Sequence, residues 1–465
     1  MDNTDQPKPT MSSVMKALTT SHTFFQDTVS GKRYIITPSG LCMGFNDNVK
    51  AIIAEYFYKT HNSAVKFGDS VRYALASHAA THQKTTYLRT ASIDGNVFYK
   101  LNQTQVVKIT SDGWDVIPRS DAGVIFRESR GTGAQVTPAP TDQSLYDLLN
   151  IFGLTDHERI LLAGVLVSAM FEAVDHPILD ISGPQGSGKS MLSGFIKRII
   201  DPNGGSGLTT QRSDMHDIAL ALSDSTVFVY ENKSFIKQDI SDMLAACSTN
   251  GDYITRELYT TEQMVTLQLR ATQIVNGIVD VLTNADVLDR TIKIVIDRRS
   301  DFGSKLATNE RFEDALPELL GAVLNAVSNT IRSIDEYKDV KCSIRMSDMY
   351  RITLATADTC GVSHAEVLNA FQINTQMNTA KAIENSQVAE WIIENVADMP
   401  FVGKVSDIFN LIKTDNPHCT YKAANSVGRD LKRVKTDLAA IGYHISDKDR
   451  DNLITITKTD QAGLS

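Results

Sequence analysis

The sequence predicts an α/β protein: a parallel sheet flanked by helices, with an α+β module before it and a smaller module of helices and strands after it. Three observations carry this. Residues 178–190, ILDISGPQGSGKS, pass from an apolar run through a glycine-rich turn into an apolar-periodic helix marked by Met191, Leu192, Phe195, Ile196 and Ile199. Further apolar runs follow at 226–230 and 273–276, the first of them preceded by a helical stretch at 214–222, which is the alternation a parallel sheet requires. After residue 400 the pattern becomes helix, helix, strand, turn, strand.

Composition sets limits around that reading. At 465 residues the chain can form several domains of ordinary size, each burying a core without staples. A make-up of 42% hydrophobic and 22% charged residues is that of a soluble globular protein, and no apolar run approaches the roughly 18 residues a membrane span needs. The polar start, MDNTDQPKPTMSS, lacks an apolar segment, so no secretory signal is expected. Five dispersed cysteines (Cys42, Cys247, Cys342, Cys360, Cys419), none in a C-x-x-C pair, fit reduced thiols and a cytoplasmic location. With 46 basic against 55 acidic residues the net charge is −9, which argues against a whole-surface nucleic-acid binder. Any DNA contact has to be local.

Residues 1–20 are a polar, proline-containing leader for which disorder is expected. Residues 21–130 make the α+β module. Val49 to Phe57 and Ser70 to His78 have helical periodicity, and the alternating runs TTYLRTASI, NVFYKLN, QVVKIT, WDVI and GVIFR are punctuated by turns at Asp94-Gly95-Asn96 and Ser111-Asp112-Gly113. No paired-carboxylate or metal-ligand spacing supports a polymerising primase site there; His78 and His82, at i, i+4 with no third ligand, read as a surface helix. The Gly, Pro and Thr of 131–141, GTGAQVTPAPT, mark a linker.

The core is expected over 142–300, opening with helices at Leu145 to Phe152 and His157 to Glu172, the second apolar on most faces and therefore buried. Amphipathic stretches at Arg311 to Ile334 and Met346 to Ala357 predict a helical lid over 301–380. Residues 381–465 read as a helix at Ala380 to Val396, then helices at Lys404 to Lys413 and Ala423 to Ile441, then paired strands at Tyr443 to Ser446 and Leu453 to Thr457, the order of a winged helix.

Gly183, Gly188, Lys189 and Ser190 satisfy G-x-x-x-x-G-K-[ST], with Pro184, Gln185, Gly186 and Ser187 between them, and the strand before and helix after are the context this motif needs. Such a P-loop turns backbone N–H groups inward around phosphate oxygens at a helix N-terminus. Lys189 can then reach the β/γ-phosphates of ATP, and the Ser190 hydroxyl can ligate Mg²⁺. The run 226–230 delivers Glu231 and Asn232 to the strand end beside that loop, where phosphoryl transfer needs a carboxylate for Mg²⁺ and a polar group to orient water. Glu231 can ligate metal, polarise the nucleophile, or do both. Asn276, ending the third run, is the candidate sensor between γ-phosphate and Glu231. Arg290, between a helix and an edge strand at 291–296, is placed to reach a neighbour's nucleotide rather than its own, with an ordinary Asp289-Arg290 surface pair as the alternative. Residues 252–270 read as a hairpin inserted before the sensor strand, with Arg256, Tyr259 and Arg270 as its basic and aromatic members, suited to phosphate contact or base stacking.

The run from the P-loop to Ile296, with EN ending the second strand, TRELY in the hairpin, VNGI at the sensor and VLDRTIKIVI after it, resembles a broad group of bacterial and phage replication ATPases described as DNA primases or helicases. More distantly, the core looks like the AAA+ fold of superfamily III helicases such as large T antigens. The resemblance covers roughly residues 85–460. It implies an oligomeric, hexameric ATPase that translocates on DNA, single strands passing through the pore. Glu231 stands where the group usually has Asp, which bears on the metal-ligand assignment.

Arg345, in SIRMSD, is a candidate second sensor. In the winged-helix module Arg429, Lys432, Arg433 and Lys435 load the recognition-helix position, and Lys448 and Arg450 sit at the wing tip, a local basic patch of the kind duplex DNA contact requires. Five aspartates (Asp430, Asp437, Asp447, Asp449, Asp451) dilute it, so a protein-docking module is the alternative. The expectation is an ATP- and Mg²⁺-dependent, ring-forming DNA helicase or translocase serving replication of a phage or mobile element, working with other replication proteins and no membrane. A helicase loader or other remodeller, an ATP-gated DNA-binding initiator and a defence ATPase stand as the other readings.

Overall fold

The computed structural model describes residues 9–129, 131–203, 214–233, 236–256, 264–277, 281–297, 304–342, 344–396 and 399–459. It begins with helix α1 (Met11–Ser21), so the disorder expected over residues 1–20 is corrected from Met11 onward. The reason is local: Thr10 and Ser13 form a reciprocal cap, and Val14 and Leu18, one turn apart, are buried together with Val71 and Leu75 of α3 (Gly68–Ala80). Strands β1 (Thr23–Asp27), β2 (Arg33–Ile36) and β3 (Cys42–Gly44), helix α2 (Phe45–His61) and the short β4 (Gln83–Lys84) complete this unit, with sheet order β3-β2-β1-β4.

A second sheet follows, the antiparallel meander β5 (Thr90–Ile93), β6 (Asn96–Lys100), β7 (Gln105–Thr110) and β8 (Gly113–Pro118). Asp94 and Gly95 both take positive φ (50° and 75°) between β5 and β6, the two-residue turn that matches strand twist. The α+β module expected over 21–130 is therefore two sheets. The second belongs to the main core, since Val97, Tyr99, Val107 and Ile109 share one apolar cluster with Leu179, Ile196 and Leu320.

Residues 131–141 carry no helix or strand, but they are laid into the body rather than left as a free linker. Gly133 N donates to Pro202 O (2.6 Å), the buried Gln135 amide donates to Tyr99 Oη (3.0 Å) and Ile199 O (2.9 Å), and Ala139 N donates to Pro317 O (2.8 Å). After α4 (Leu145–Leu148) comes α5 (Asp156–Ser168), capped by Thr155 and Glu158 and buried from Glu158 to Ser168. It crosses α11 (Ser347–Cys360) so closely that a Cβ on Gly164 would lie 2.1 Å from Thr353 Oγ1. The apolar face all round, read from sequence, is explained by helices as well as sheet covering it.

The central elements are β9 (Ile178–Ser182), α6 (Lys189–Ile200), α7 (Met215–Ser223), β10 (Val227–Lys233), α8 (Gln238–Ser248), the hairpin β11 (Asp252–Arg256) and β12 (Met264–Gln268), β13 (Thr272–Gly277), α9 (Ala285–Leu288) and β14 (Thr291–Val295). Among the described residues β10-β13-β9-β14 form one sheet with every pair parallel. Helix α10 (Lys305–Ser333) follows, then α11 and α12 (His364–Glu384). Because α12 runs through residue 380, the expected boundary there and the helix expected over 380–396 are both corrected. The break comes at Asn385–Ser386, where Ser386 caps α13 (Gln387–Asn395). The chain ends with β15 (Phe401–Gly403), α14 (Val405–Asp415), α15 (Ala424–Ala440), β16 (Tyr443–Ile445) and β17 (Ile454–Lys458), a three-stranded antiparallel sheet ordered β15-β17-β16 beside its helices. Among the described residues no helix is long and apolar enough to cross a membrane.

One buried ion cluster joins these parts. Asp201, at the C-terminal end of α6, lies 3.4 Å from Arg89 and 3.1 Å from Lys197 and accepts from Thr226 N and Val227 N at 2.9 and 3.1 Å. Arg89, fully buried, also donates to Lys100 O, Gly133 O and Pro202 O at 2.8–3.0 Å. Removing it leaves the buried Asp201 carboxylate with one cation in place of two and takes a donor from three carbonyls, so Arg89→Met should cost about 3 kcal/mol. A urea midpoint unchanged from wild type would contradict this.

Nearby, a polar cavity of about 60 Å³ is walled by Arg89, Arg127, Glu172, His176 and Arg270. Burial pushes the Glu172 carboxyl up to about 7, with Arg270 and Arg127 opposing the shift. A raised carboxyl pKa means stability falls as pH rises from the ordinary carboxyl range to about 7, because the fold must then hold a charge that the unfolded chain keeps in water. Glu172→Gln should therefore match wild-type stability at pH 4 and exceed it at pH 8, as read by thermal unfolding across that range.

Candidate functional site

Parallel strands bring their C-terminal ends to one edge of the sheet, and that edge holds the 183–190 loop, Glu231 and Asn276. The loop after Ser182 turns on Gly183, Gly186 and Gly188, at φ 147°, 82° and 99°. Gly183 is obligatory twice over, since a Cβ there would lie 2.2 Å from Ile296 O, which continues β14 alongside the loop. The buried Ser187 hydroxyl has no hydrogen-bond partner among the described residues. Lys189 opens α6 with its ammonium folded onto the loop itself, donating to Gly183 O (2.6 Å) and Pro184 O (2.8 Å), and burial lowers its pKa.

β13 lies between β9 and β10, with Asn276 opposite Ile181 and Tyr230 opposite Val275, so Asn276 and Glu231 stand on neighbouring strand ends. Glu231 is half-buried and faces a cleft of about 980 Å³ that also exposes Gln185, Gly186, Gly188, Lys189 and Ser190. The Asn232 side chain lies outside the described residues. Asn276 is buried and its amide donates to Ser193 Oγ (2.9 Å), which donates to Lys189 O; it therefore holds the first turns of α6 instead of lining the cleft.

The opposite wall of that cleft escaped the sequence reading. It is the start of α10, with Lys305, Asn309, Phe312 and Glu313 facing Met191, Gly194, Phe195 and Arg198 of α6. Spacings of three and four residues put these side chains on one face of each helix, but the pattern alone cannot say that the two faces meet.

Arg290 sits at the other edge. Its carbonyl accepts from Ile178 N, at the first residue of β9, about 13 Å from Ser182 by strand rise. The side chain is buried and paired with Asp286 (2.6 Å). Arg345 joins the same carboxylate (2.7 Å) and Asp289 (3.6 Å) while remaining half exposed. Arg345, the candidate second sensor, thus lies with Arg290 at the edge away from the loop of its own chain. Burial opposes ionisation of Asp286, but the Arg290 hydrogen bond and the two guanidinium charges hold its pKa low.

Of the hairpin residues, Tyr259 and the Arg256 side chain lie outside the described residues. Arg270 is exposed, but at the hairpin's root beside Glu172 and not at its tip. On α15, Arg429 and Lys432 are exposed. Arg433 is corrected as a free contact residue: it bridges Asp430 (2.6 Å) and donates to Thr283 O (3.1 Å) and Asn385 O (3.2 Å), docking α15 on the body. Lys435 pairs with Asp447 (2.8 Å), and Lys448 and Arg450 are exposed between β16 and β17. Burial and the nearby Asp289 push Asp437, on the docked side, up to about 6.

Comparison with known proteins gives three results. Among solved structures, the apo C-terminal region of NrS-1 is similar at 12% identity and a TM-score of 0.42, covering 97% of this chain and 100% of that one. The JCV helicase is similar at 14% identity and a TM-score of 0.22, covering 49% of this chain and 70% of that one. No curated protein matches the sequence. Residues 143–376, just over half of the chain and holding the loop, both sheet edges and α10, match the model of the actinomycete integrative conjugative element replication proteins, and the chain belongs to that family.

Proposed function

We propose that this replication protein is an ATP-driven DNA helicase or translocase with a P-loop AAA+ core, acting as a ring, for which a hexamer is the expected form. The observation that carries the reading is the meeting of loop 183–190 and Glu231 at one open cleft. Three glycines in positive φ leave the loop's N–H groups free to turn inward, and the orphaned Ser187 hydroxyl is a further polar group with a vacancy. Phosphate would draw the Lys189 ammonium from the two carbonyls it now caps. Among the described residues no three His, Cys, Asp or Glu side chains cluster to hold a metal, so Mg²⁺ would depend on Ser190, Glu231 and the phosphates together. Bound there, Mg²⁺ would neutralise charge on the phosphates; Glu231 would orient and polarise the attacking water.

The C-terminal unit is proposed as a winged helix that approaches duplex DNA with Arg429, Lys432, Lys448 and Arg450. Lys435 is taken by Asp447, and Arg433 serves docking. Single-stranded DNA would pass the hairpin 252–270.

Purified protein should hydrolyse ATP and separate a forked duplex. Lys189→Ala should abolish both, and Glu231→Gln should retain nucleotide while turnover falls by orders of magnitude. Normal hydrolysis in Lys189→Ala would end the P-loop reading.

The arginine edge supplies the test of the ring. Arg290→Ala should keep nucleotide affinity and lose roughly 10³-fold or more in turnover, as for a group acting only in the transition state. Co-assembly with Lys189→Ala should restore activity, since each partner brings what the other lacks. Inactive mixtures in which mixed oligomers are demonstrated would assign Arg290 to its ion pair with Asp286 alone. Arg345→Ala in the same assay tells whether the exposed arginine shares that role.

A further inference from the structure

The cleft is larger than a triphosphate needs, and its far half has features that phosphate binding leaves unexplained. Helices α6 and α10 touch at one end, where the Phe195 and Phe312 rings stack (centroids 4.0 Å, planes 14° apart) and Arg198 meets Glu313 at 3.2 Å. The first turns of both helices, from Lys189 and Lys305 to the phenylalanine pair, line the cleft, which leaves room beyond the loop for the rest of a ligand whose phosphates sit there. Gly194 lies on this wall. Glycine inside a helix is unfavourable relative to alanine, yet a Cβ there would meet nothing within 4 Å, so packing does not demand it. It leaves a bare strip of α6 facing the cleft. Across from it, the part-exposed Asn309 side chain lines the cleft.

We propose that this half of the cleft seats the base and ribose of the nucleotide and that Asn309 selects adenine. The proposal rests on the nucleotide reading of the loop. A flat ring lying over Gly194 would meet aromatic carbon at the part-exposed Phe195, whose ring the buried Phe312 backs, and a carboxamide offers a donor and an acceptor side by side, the complement of adenine N7 and N6. Guanine presents acceptors at both positions and calls for a guanidinium. Arg198, the guanidinium within the cleft, is committed to Glu313 and to Gln135 Oε1 (2.8 Å).

Binding of ATP, GTP and inorganic tripolyphosphate to the full chain separates the base seat from the loop. Wild type should bind ATP at least tenfold more tightly than tripolyphosphate or GTP. Gly194→Leu should fill the seat: ATP affinity falls to that of tripolyphosphate, whose own binding is unchanged and reports an intact loop and fold. Asn309→Leu should erase the ATP-over-GTP preference, again with tripolyphosphate unaffected. Wild-type ATP affinity in Gly194→Leu, or an intact preference in Asn309→Leu, overturns the proposal. If tripolyphosphate binds and ATP gains nothing over it, the base seat alone is wrong. If neither binds, the phosphate-loop reading fails and the proposal falls with it.

Discussion

The geometry of the cleft depends on Asp201. One carboxylate, almost fully buried, ends the helix that carries Lys189, takes the two N–H groups that begin β10, and meets cations from its own helix and from the meander sheet. Burial alone would raise its pKa; Lys197 and Arg89 hold it low, so the charge is kept. Replacing such a cluster with apolar groups is often neutral or better for stability, so its value is better sought in what it specifies. Here it specifies register. With the C-terminal end of α6 pinned to the start of β10, Lys189 at one end of the helix and Glu231 at the other end of the strand face the same cleft.

The same constraint shows which readings sequence permits. The loop, its strand and helix, and the apolar runs that became β10 and β13 were legible, because each is a local pattern with its own periodicity. The leader was misread because its composition is polar, whereas Val14 and Leu18 needed only one helical turn between them and a face of α3 to bury. Residues 131–141 were misread for a related reason. Gly, Pro and Thr report local propensity, and nothing local announces that Gln135 will find Tyr99 Oη and two carbonyls of α6. The α10 wall of the cleft was missed because Lys305, Asn309 and Phe312 look like any helical stripe until α6 is set opposite them.

The two edges of the parallel sheet divide the proposed chemistry. The loop, Glu231 and Asn276 belong to the C-terminal edge; Arg290 and Arg345 share Asp286 at the other, a strand length away. A single chain cannot close that gap by side-chain rotation, because even an extended arginine is much shorter than β9. If these arginines serve phosphoryl transfer, they serve another subunit's loop. The buried one is fixed in direction by Asp286, while the half-exposed one is held by Asp286 and Asp289 together.

That arginine edge is also where the C-terminal unit docks. Arg433 of α15 holds the carbonyl of Thr283, just before α9, and Asp437 feels the charge of Asp289. The carboxylates that orient Arg290 and Arg345 are therefore within the electrostatic reach of a helix whose outer face carries Arg429 and Lys432. A phosphate backbone laid on that outer face would change the field at the inner one, and a shift of α15 would alter the contacts that Asp286 and Asp289 now share between the two arginines. The proposed DNA face and the arginine edge therefore share one helix, α15, through Arg433 and Asp437.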